Sequence, residues 1–259
     1  MAIDHSKKRA RFRVLHQDGC FVLPNPWDVA SARKLEELGF EALGTASAGY
    51  AWSQARDGGQ ASPYETLDHV RALCAATDLP VNADFEAGYA EHPDGVYENV
   101  LMAIETGVAG LSIEDRDGWA LRPLPVAVER VRAARRAIDR SGADVLLIGR
   151  SEGYAVGQPD LEDTIRRLVA YAEAGADCLY APGVSALPDV ARIVAAVRPK
   201  PVNVMIASAA PVVDLAAIGV RRVSVGGSLA AAVWRSLDTA AHMFPIAERA
   251  PPRPERAAE

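Results

Sequence analysis

Short apolar runs alternate with longer amphipathic stretches along nearly the whole chain. Runs of about five mainly aliphatic residues are typical of strands in a parallel sheet that is covered on both faces. The stretches between them repeat their apolar residues with helical spacing. Glycine ends several of these stretches directly before the next run, as at Gly39, Gly107, Gly175 and Gly219. The pattern therefore predicts a series of strand–helix units.

Eight such units follow one another, after one further helix near the amino terminus. The strands are predicted at residues 21–24, 41–45, 80–84, 109–114, 144–150, 176–180, 201–205 and 221–225. The helices are predicted at residues 6–19, 29–39, 63–77, 94–106, 125–140, 160–174, 187–197, 210–218 and 228–244. A long loop rich in glycine, serine and glutamine separates the second strand from its helix.

Eight units in a chain of 259 residues fit an α/β fold of the (β/α)8 TIM barrel type, with an N-terminal helix. We expect a single barrel domain at residues 1–249 and a proline-rich, disordered tail at residues 250–259. A doubly wound sheet is the alternative, but neither GxGxxG nor a P-loop follows any predicted strand.

Composition and charge narrow the choice of partners. Apolar residues make up 49% of the chain and charged residues 24%, as in an ordinary globular protein. The net charge of −6 and the lack of a basic stripe argue against nucleic-acid binding. There is no apolar leader and no uncharged apolar run of about 18 residues, so we expect a cytoplasmic protein that contacts no membrane. The three cysteines are scattered and predict no zinc site.

Two carboxylates stand at the end of the third predicted strand, in the stretch Pro-Val-Asn-Ala-Asp-Phe-Glu-Ala-Gly-Tyr at residues 80–89. If the strand continued through Glu86, Asp84 and Glu86 would point the same way, because residues two apart on a strand share a face. Two like charges tolerate one space when a cation lies between them. A solvated, polar strand end is the alternative interpretation of this motif alone.

Polar residues follow the other predicted strands as well. In a barrel of this type the carboxyl ends of the strands meet at one mouth, where the chemistry collects. The residues expected there are Thr45, Asp84, Glu86, Glu114, Asp115, Arg150, Glu152, Tyr180, Asn203 and the Gly-Gly-Ser at 226–228. This set is rich in oxygen and contains no histidine or cysteine, which suits Mg²⁺ held partly through waters, with Mn²⁺ as the alternative. Ion pairs that hold the barrel rim together are the competing interpretation.

Several longer motifs resemble those of the isocitrate lyase/phosphoenolpyruvate mutase superfamily along nearly the whole chain. They are Leu-Pro-Asn-Pro-Trp-Asp-Val-Ala-Ser-Ala-Arg at 23–33, Gly-Thr-Ala-Ser at 44–47, Asp57, Val-Asn-Ala-Asp-Phe-Glu-Ala-Gly-Tyr at 81–89, Ser-Ile-Glu-Asp at 112–115, Gly-Arg-Ser-Glu at 149–152 and Pro-Val-Asn-Val-Met at 201–205. The resemblance implies that the eighth barrel helix is exchanged between the subunits of a homodimer or homotetramer. Packing of this alanine-rich helix within one chain is the alternative.

The resemblance also implies a role for each matching residue. Asp84 corresponds to the direct metal ligand, and Asp57, Glu86 and Glu114 correspond to residues that hold the waters of the metal. Thr45, Ala46 and Ser47 correspond to the groups that take the substrate carboxylate. Arg150 corresponds to the arginine that binds substrate and developing negative charge, and Asn203 to an asparagine that lines the site. The implied cofactor is Mg²⁺, and the implied partner is a small carboxylate substrate.

The stretch after the fourth strand departs from this superfamily. Its C–C lyases carry a Lys-Lys/Arg-Cys-Gly-His loop there and its phosphonate mutases a lysine and an asparagine, whereas residues 114–123 read Glu-Asp-Arg-Asp-Gly-Trp-Ala-Leu-Arg-Pro. The usual acid or base is therefore missing. Tyr50 and Tyr89 in rim loops are candidates for a proton donor or a gate, with simple packing as the alternative. We expect Asp115 to be solvated and Glu152 to hold Arg150 in place.

Together these observations predict a carbon–carbon lyase whose catalytic set is Arg150, Asp57, Glu114 and Tyr50, with Tyr89 beside the substrate. The expected reaction is metal-dependent cleavage or decarboxylation of a small 2-oxo or 2-hydroxy di-acid, such as oxaloacetate or an alkylmalate, through a metal-bound enolate. A mutase or hydrolase of phosphonopyruvate is the second hypothesis. A protein that binds 2-oxo acids without turning them over is the third.

Overall fold

The computed structural model describes residues 5–57, 61–206 and 211–244, and within these ranges it contains ten helices and ten strands. The helices are α1 Ser6–Leu15, α2 Val29–Glu37, α3 Ser47–Ser53, α4 Pro63–Ala76, α5 Pro93–Glu105, α6 Leu124–Ser141, α7 Leu161–Glu173, α8 Leu187–Val197, α9 Val212–Ala217 and α10 Ser228–Ala241. The strands are β1 Phe21–Leu23, β2 Leu43–Gly44, β3 Val81–Asp84, β4 Gly110–Glu114, β5 Arg116–Asp117, β6 Ala120–Leu121, β7 Leu146–Arg150, β8 Cys178–Tyr180, β9 Val202–Met205 and β10 Arg222–Ser224.

Eight of these strands form one parallel sheet in the order β1-β10-β9-β8-β7-β4-β3-β2, which curls into a nearly closed barrel flanked by helices. This confirms the predicted (β/α)8 TIM barrel, and α1 confirms the additional N-terminal helix. Residues 250–259 lie outside the described residues. The tail and the domain boundary at residue 249 therefore stay predictions.

The two end strands of the sheet, β1 and β2, meet through the rim residues that follow β1. The amide of Gly44 donates to the carbonyl of Pro24 at 3.0 Å. A β-carbon at Gly44 would lie 2.8 Å from a methyl group of Leu23, so only glycine allows this close approach. The side chain of Asn25 donates to the carbonyl of Thr45 and accepts from the amides of Val225 and Gly226. Asn25 thus ties the rim loops after β2 and β10 together.

Alternate residues of the strands face the helices and the barrel interior. On β3, Val81 and Ala83 pack in the large apolar layer between sheet and helices, and Asn82 and Asp84 line the interior. At the amino ends of the strands the interior is filled by a second apolar cluster, in which the fully buried Phe12 of α1 packs with neighbours such as Phe21. Since α1 covers this end, the interior opens at the carboxyl ends of the strands.

Three local predictions were wrong. The first helix ends at Leu15 rather than near Gly19, whose φ of 70° belongs to the turn before β1. The predicted loop after β2 contains the short helix α3, which its glycine, serine and aromatic residues did not reveal. The stretch after β4 forms the hairpin β5–β6, with a φ of 58° at Gly118 that suits the first position of a two-residue turn.

The last helix, α10, differs from the other barrel helices in its exposure. Its apolar residues Ala230, Val233, Trp234 and Leu237 recur with helical spacing, but only Ala230 is buried within the chain. Val233 and Leu237 keep 51% and 54% of their surface exposed. An apolar stripe of α10 therefore lacks a partner among the described residues. Among those residues, no helix is both long and apolar enough to cross a membrane.

His16, directly after α1, should make the stability of the fold sensitive to acid. Burial, reinforced by the positive charge of Arg222, lowers the pKa of His16 from 6.5 to about 3. The unfolded chain therefore binds one more proton than the folded chain between these values, so the free energy of unfolding falls as the pH falls below 6.5. We expect a slope of about 1.4 kcal/mol per pH unit from this residue.

Urea unfolding of His16→Gln between pH 7 and pH 4 measures this slope. Because glutamine takes up no proton, the variant should lose the contribution and show a flatter pH dependence than the native sequence. His92→Gln removes an exposed histidine and is the matched control. Equal pH dependence in H16Q and the native sequence would contradict the prediction.

Candidate active site at the carboxyl ends of the strands

A cavity of about 220 Å³ opens at the carboxyl ends of the strands and continues into the barrel interior. Of the residues predicted from the sequence, Thr45, Ala46, Ser47, Asp84, Arg150 and Asn203 line it. Further polar residues line it as well, namely Asn25, Asn82, Ser112, Arg222 and Ser224. The structure therefore brings most of the predicted substrate-binding residues to one cavity.

Arg150 at the end of β7 is the centre of an ion-pair cluster at the mouth. Its Nη1 lies 3.0 Å from Asp84 Oδ1 and 3.4 Å from Glu114 Oε2, and its Nε donates to Glu152 Oε1. The register explains this geometry, because Glu114 of β4 lies opposite Arg150 of β7. Burial lowers the pKa of Arg150, but the surrounding carboxylates raise it further, well above its usual value. The guanidinium is therefore a permanent positive charge.

Asp84 is also bonded on its other side. Its Oδ2 accepts from the amide of Ser47 at 3.3 Å and from the Ser47 hydroxyl at 2.9 Å. The backbone amide of Asp84 donates to Thr45 Oγ1 at 2.8 Å. These bonds fix the loop after β2 against the end of β3. A ligand carboxylate that binds the amide or hydroxyl of Ser47 would have to share or replace the contact with Asp84.

Glu86 does not continue β3, which ends at Asp84. It has a φ of 44°, a left-handed conformation that is strained for a residue with a side chain. Burial and the charge of Asp84 raise the pKa of Glu86 to about 7. Burial also raises the pKa of Glu114, although Arg150 opposes this shift. Burial is the largest cause of both pKa shifts, and the neighbouring carboxylates add to it.

The donor set fits a divalent cation. Only one guanidinium, that of Arg150, offsets the four nearby carboxylates of Asp84, Glu86, Glu114 and Glu152. With all four ionised, the formal charge of this group is −3. Glu86 Oε1 is buried and has no hydrogen-bond partner within the described part of the chain. In that same part, no three acidic, histidine or cysteine side chains lie close enough to ligate one ion directly. A hard cation with one direct carboxylate ligand and several waters matches these facts better than a fully protein-ligated ion.

Asp115 is buried next to the ion-pair cluster and bonds to the backbone of Glu152. The expectation that Asp115 is solvated was therefore wrong. Asp115 is 1% exposed and accepts from the amide of Glu152 at 2.8 Å and from the Tyr171 hydroxyl at 2.6 Å. Arg167 Nη1 lies 3.3 Å from the same carboxylate. Since Glu152 in turn accepts from Arg150, the predicted contact between these two residues is present and is itself held by a buried network.

Asp57, Tyr50 and Tyr89 neither form an ion pair with Arg150 nor line the cavity. Asp57 is exposed and lines a surface groove with Trp52 and Trp234, next to residues 58–60, which lie outside the described ranges. Tyr50 stacks on His69, with the ring centroids 4.1 Å apart. The hydroxyl of Tyr89 accepts from Thr66, and its ring packs against Phe85. The catalytic and metal-binding roles assigned to Asp57 and Tyr50, and the substrate contact assigned to Tyr89, stay predictions.

The hairpin β5–β6 stands at the mouth, where the superfamily resemblance led us to expect an acid or base. Arg116 lies over the ring of Trp119, which is 81% exposed, and Arg122 pairs with Asp117. The hairpin thus presents an aromatic ring and paired charges. It carries no cysteine, histidine or lysine.

Sequence reasoning missed the polar layer deeper in the barrel. Asn82 precedes Asp84 by two positions on β3 and therefore shares its inward face, a signal that strand alternation contained. Arg221 and Arg222 stand together between Val220 and Val223, and this pair of charges in a predicted strand was the available clue. Neither signal predicts which residues of the other strands contact Asn82 or Arg222 across the barrel interior.

Comparison with known proteins gives a family match over nearly the whole chain. The sequence profile of the phosphoenolpyruvate phosphomutase family matches residues 12–244. A solved protein from Burkholderia cenocepacia, provisionally classed as a lyase or mutase, is 42% identical and superposes with a TM-score of 0.89 over 92% of this chain and 88% of its own.

Two further relatives carry names from oxaloacetate chemistry. The oxaloacetate decarboxylase of Paraburkholderia xenovorans is 30% identical, over 69% of this chain and 62% of its own length. A solved oxaloacetate acetylhydrolase in complex with the product oxalate is 26% identical and superposes with a TM-score of 0.83, over 96% of this chain and 90% of its own.

The network below Arg150 should contribute measurably to stability. In Tyr171→Phe, Asp115 loses the hydrogen bond from the phenol while the ring stays in place. A hydrogen bond to a charged group contributes about 1.5 to 3 kcal/mol, so the free energy of unfolding should fall by about that amount. Denaturant unfolding measures the change. Tyr64→Phe, at an exposed tyrosine of α4, is the matched control and should unfold as the native sequence does. A Y171F variant as stable as Y64F would show that the bond contributes nothing.

Proposed function

Since this chain belongs to the phosphoenolpyruvate phosphomutase family, whose superfamily comprises lyases and mutases that act on oxo acids, we propose that it is a metal-dependent carbon–carbon lyase. Its substrate is a small 2-oxo or 2-hydroxy di-acid, and decarboxylation of oxaloacetate is the reaction that fits best. One observation carries this proposal. Asp84, Glu114 and Glu152 all contact Arg150 at the mouth of a cavity that is lined by hydroxyl and amide groups.

The charge at the mouth suits this chemistry. When the bond between C3 and C4 of oxaloacetate breaks, CO₂ departs and the electron pair passes to the carbonyl oxygen at C2. Arg150 stabilises this developing charge because its guanidinium is held in place before the reaction by three carboxylates and is always protonated. A bound Mg²⁺ or Mn²⁺ would supply further positive charge to the carboxylate and carbonyl oxygens of the substrate.

The remaining residues bind and orient the acid. If a cation binds, Asp84 would ligate it directly, and Glu86 and Glu114 would hold its waters. Glu86 Oε1, which is buried and has no hydrogen-bond partner among the described residues, would accept from one of these waters. Thr45, Ala46 and Ser47 receive the carboxylate next to the reacting carbonyl, and Asn203 donates from the barrel wall. Asp57 stays a proposed member of this set, at the edge of the groove on the rim.

The hairpin β5–β6 favours decarboxylation over cleavage that releases a larger acid. Retro-aldol cleavage of a substituted malate needs a base to remove a hydroxyl proton and an acid for the leaving carbanion. Asp117 is the one acid in hairpin residues 116–121, and it is exposed and paired with Arg122, so the hairpin does not supply both groups. Loss of CO₂ needs neither in the bond-breaking step, and water can protonate C3 afterwards to give pyruvate.

Oxaloacetate turnover is the first measurement. We expect pyruvate to form in the presence of Mg²⁺ or Mn²⁺, activity to disappear after dialysis against EDTA, and activity to return when the metal is restored. Free metal decarboxylates oxaloacetate slowly, so heat-denatured protein with the same metal is the blank. Turnover that persists in EDTA would contradict the metal requirement. Consumption of phosphonopyruvate followed by phosphorus NMR, without oxaloacetate turnover, would instead support the mutase or hydrolase alternative.

Two variants locate the activity at the mouth. Asp84→Asn keeps the shape of the side chain and removes its charge. Arg150→Lys keeps a charge but not the fork, whose Nη1 contacts Asp84 and Glu114 while its Nε donates to Glu152. Each should lower kcat by about 10²- to 10³-fold, the usual loss for one group that stabilises a transition state. Asp117→Asn in the adjacent hairpin is the control and should keep nearly full activity. If D84N and R150K stay as active as D117N, the reaction takes place elsewhere.

A homo-oligomer formed through α10 is the second part of the proposal. The stripe of Val233, Trp234 and Leu237 has helical spacing but no covering element among the described residues, as a surface that packs against another subunit would. A dimer or tetramer follows from this, and the exchange of α10 between subunits stays a prediction. A cytoplasmic location is likewise only proposed.

Light scattering after gel filtration tests the oligomer. We expect the native sequence to run as a dimer or tetramer and Leu237→Glu to dissociate, because a charge in an apolar contact is costly. Val213→Glu changes a valine of α9 that is 71% exposed and lies outside the α10 stripe, and it should leave the assembly unchanged. A monomeric native chain at micromolar concentration would refute the proposed assembly.

A further inference from the structure

The barrel interior holds a buried cation that has no counter-charge among the described residues. Arg222 of β10 is 2% exposed, and its guanidinium donates only to two neutral side chains, Asn203 Oδ1 at 2.9 Å and Asn82 Oδ1 at 3.3 Å. Within the described ranges it forms no ion pair, and the titratable groups that interact with its charge are Cys178, Tyr180 and His16, none of them an acidic side chain of Asp or Glu. Burial accordingly lowers the pKa of Arg222. A buried charge without a partner is costly, so its place in the fold needs an explanation.

Packing alone does not supply that explanation, as a second buried arginine shows. Arg130 of α6 also lacks an acidic partner within the described residues, but it donates to the carbonyls of Ala87, Ala90 and Glu91. These bonds hold the loop after β3, so Arg130 is structural. Arg222 caps no loop, and it lines the cavity.

Arg222 lies below the mouth and in the same cavity. Asn82, which it contacts, precedes Asp84 by two residues on β3, and both side chains face inward. Two residues of a strand span about 7 Å, so a ligand bound at Asp84 and Arg150 has its second end at the depth of Asn82. The intervening wall carries the hydroxyl groups of Ser112 and Ser224. The cavity thus provides a cationic fork at one end and neutral hydrogen-bonding groups along its side.

We propose that Arg222, with Asn82 and Asn203, forms a binding subsite for the second carboxylate of the substrate. This inference rests on the proposed function, because it assumes that the ligand is a small di-acid whose first carboxylate binds at the mouth. The two oxygens of a carboxylate match the fork of the guanidinium, and no protein acid competes for it among the described residues. The subsite selects di-acids over mono-acids, because a mono-acid leaves Arg222 without its counter-charge.

Calorimetry with malate and lactate tests this selection in the presence of Mg²⁺. Both ligands are 2-hydroxy acids, and they differ by the second carboxylate. The native sequence should bind malate about 10- to 100-fold more tightly than lactate, the usual effect of a charge-assisted hydrogen bond. Arg222→Met should lose this preference and keep its affinity for lactate within about threefold. Arg221→Met, at the residue directly before β10, whose side chain donates to the carbonyl of Gly19 outside the cavity, is the control and should keep the preference.

Several results would overturn the inference. The native sequence could bind malate and lactate equally tightly. R222M could keep the preference for malate, or a folded R222M could lose affinity for malate and lactate to the same extent. Should R222M fail to fold, Arg222→Lys retains a charge and should lower the preference at least threefold, because lysine lacks the fork. An unchanged preference in R222K would count against the subsite.

A crystal of the native protein grown with malate gives a test that needs no variant. The second carboxylate is expected within hydrogen-bond distance of Arg222, and a malate bound entirely at the mouth would contradict the inference. These measurements do not depend on turnover. If the protein prefers malate through Arg222 but does not decarboxylate oxaloacetate, the subsite is supported and the proposed reaction is rejected. If it decarboxylates oxaloacetate but shows no preference for malate, the proposed reaction is supported and the subsite is rejected.

Discussion

Buried acids exceed buried bases at the mouth of this barrel, and the contact of Arg150 with Asp84, Glu114 and Glu152 is what makes that arrangement possible. Each acid comes from a different segment, and like charges so close together would repel one another without the guanidinium. Burial and the neighbouring carboxylates still raise the pKa values of Glu86 and Glu114, although Arg150 lowers them. The fold therefore maintains a site that becomes more favourable when a cation enters it.

The network behind Arg150 extends this constraint into the core. Asp115 fixes the amide of Glu152 and is itself held by Tyr171 and Arg167. Arg150 and Glu152 at the mouth are thereby positioned by Asp115, directly after β4, and by two residues of α7, none of which lines the cavity. Such rigidity is what electrostatic stabilisation of a transition state requires, because donors that are already oriented need no reorganisation during the reaction.

The barrel interior shows a second departure from a maximally stable fold. Branched apolar residues usually fill a TIM barrel, whereas here Asn82, Ser112, Asn203 and Arg222 occupy the layer beneath the mouth. Phe12 and its neighbours restore an apolar seal at the opposite end. A polar layer above an apolar one leaves a cavity that is closed below and open above, which is the shape that a small polar ligand needs.

The sequence alone predicted the eight strand–helix units and most of the acids at the strand ends, because strand and helix periods and the common direction of parallel strands are local or topological properties. It did not predict the short helix α3, the burial of Asp115 or the pairing of Arg222 with Asn82, which depend on the register between strands far apart in the chain. Asp84 and Glu86 show the same division. Their proximity in sequence suggested a cation site, but β3 ends at Asp84 and a left-handed residue places Glu86. Only the tertiary structure decided which charged side chains have partners of opposite charge and which have none among the described residues. The reason is that the energy of a charge depends on its burial and on partners that other strands supply.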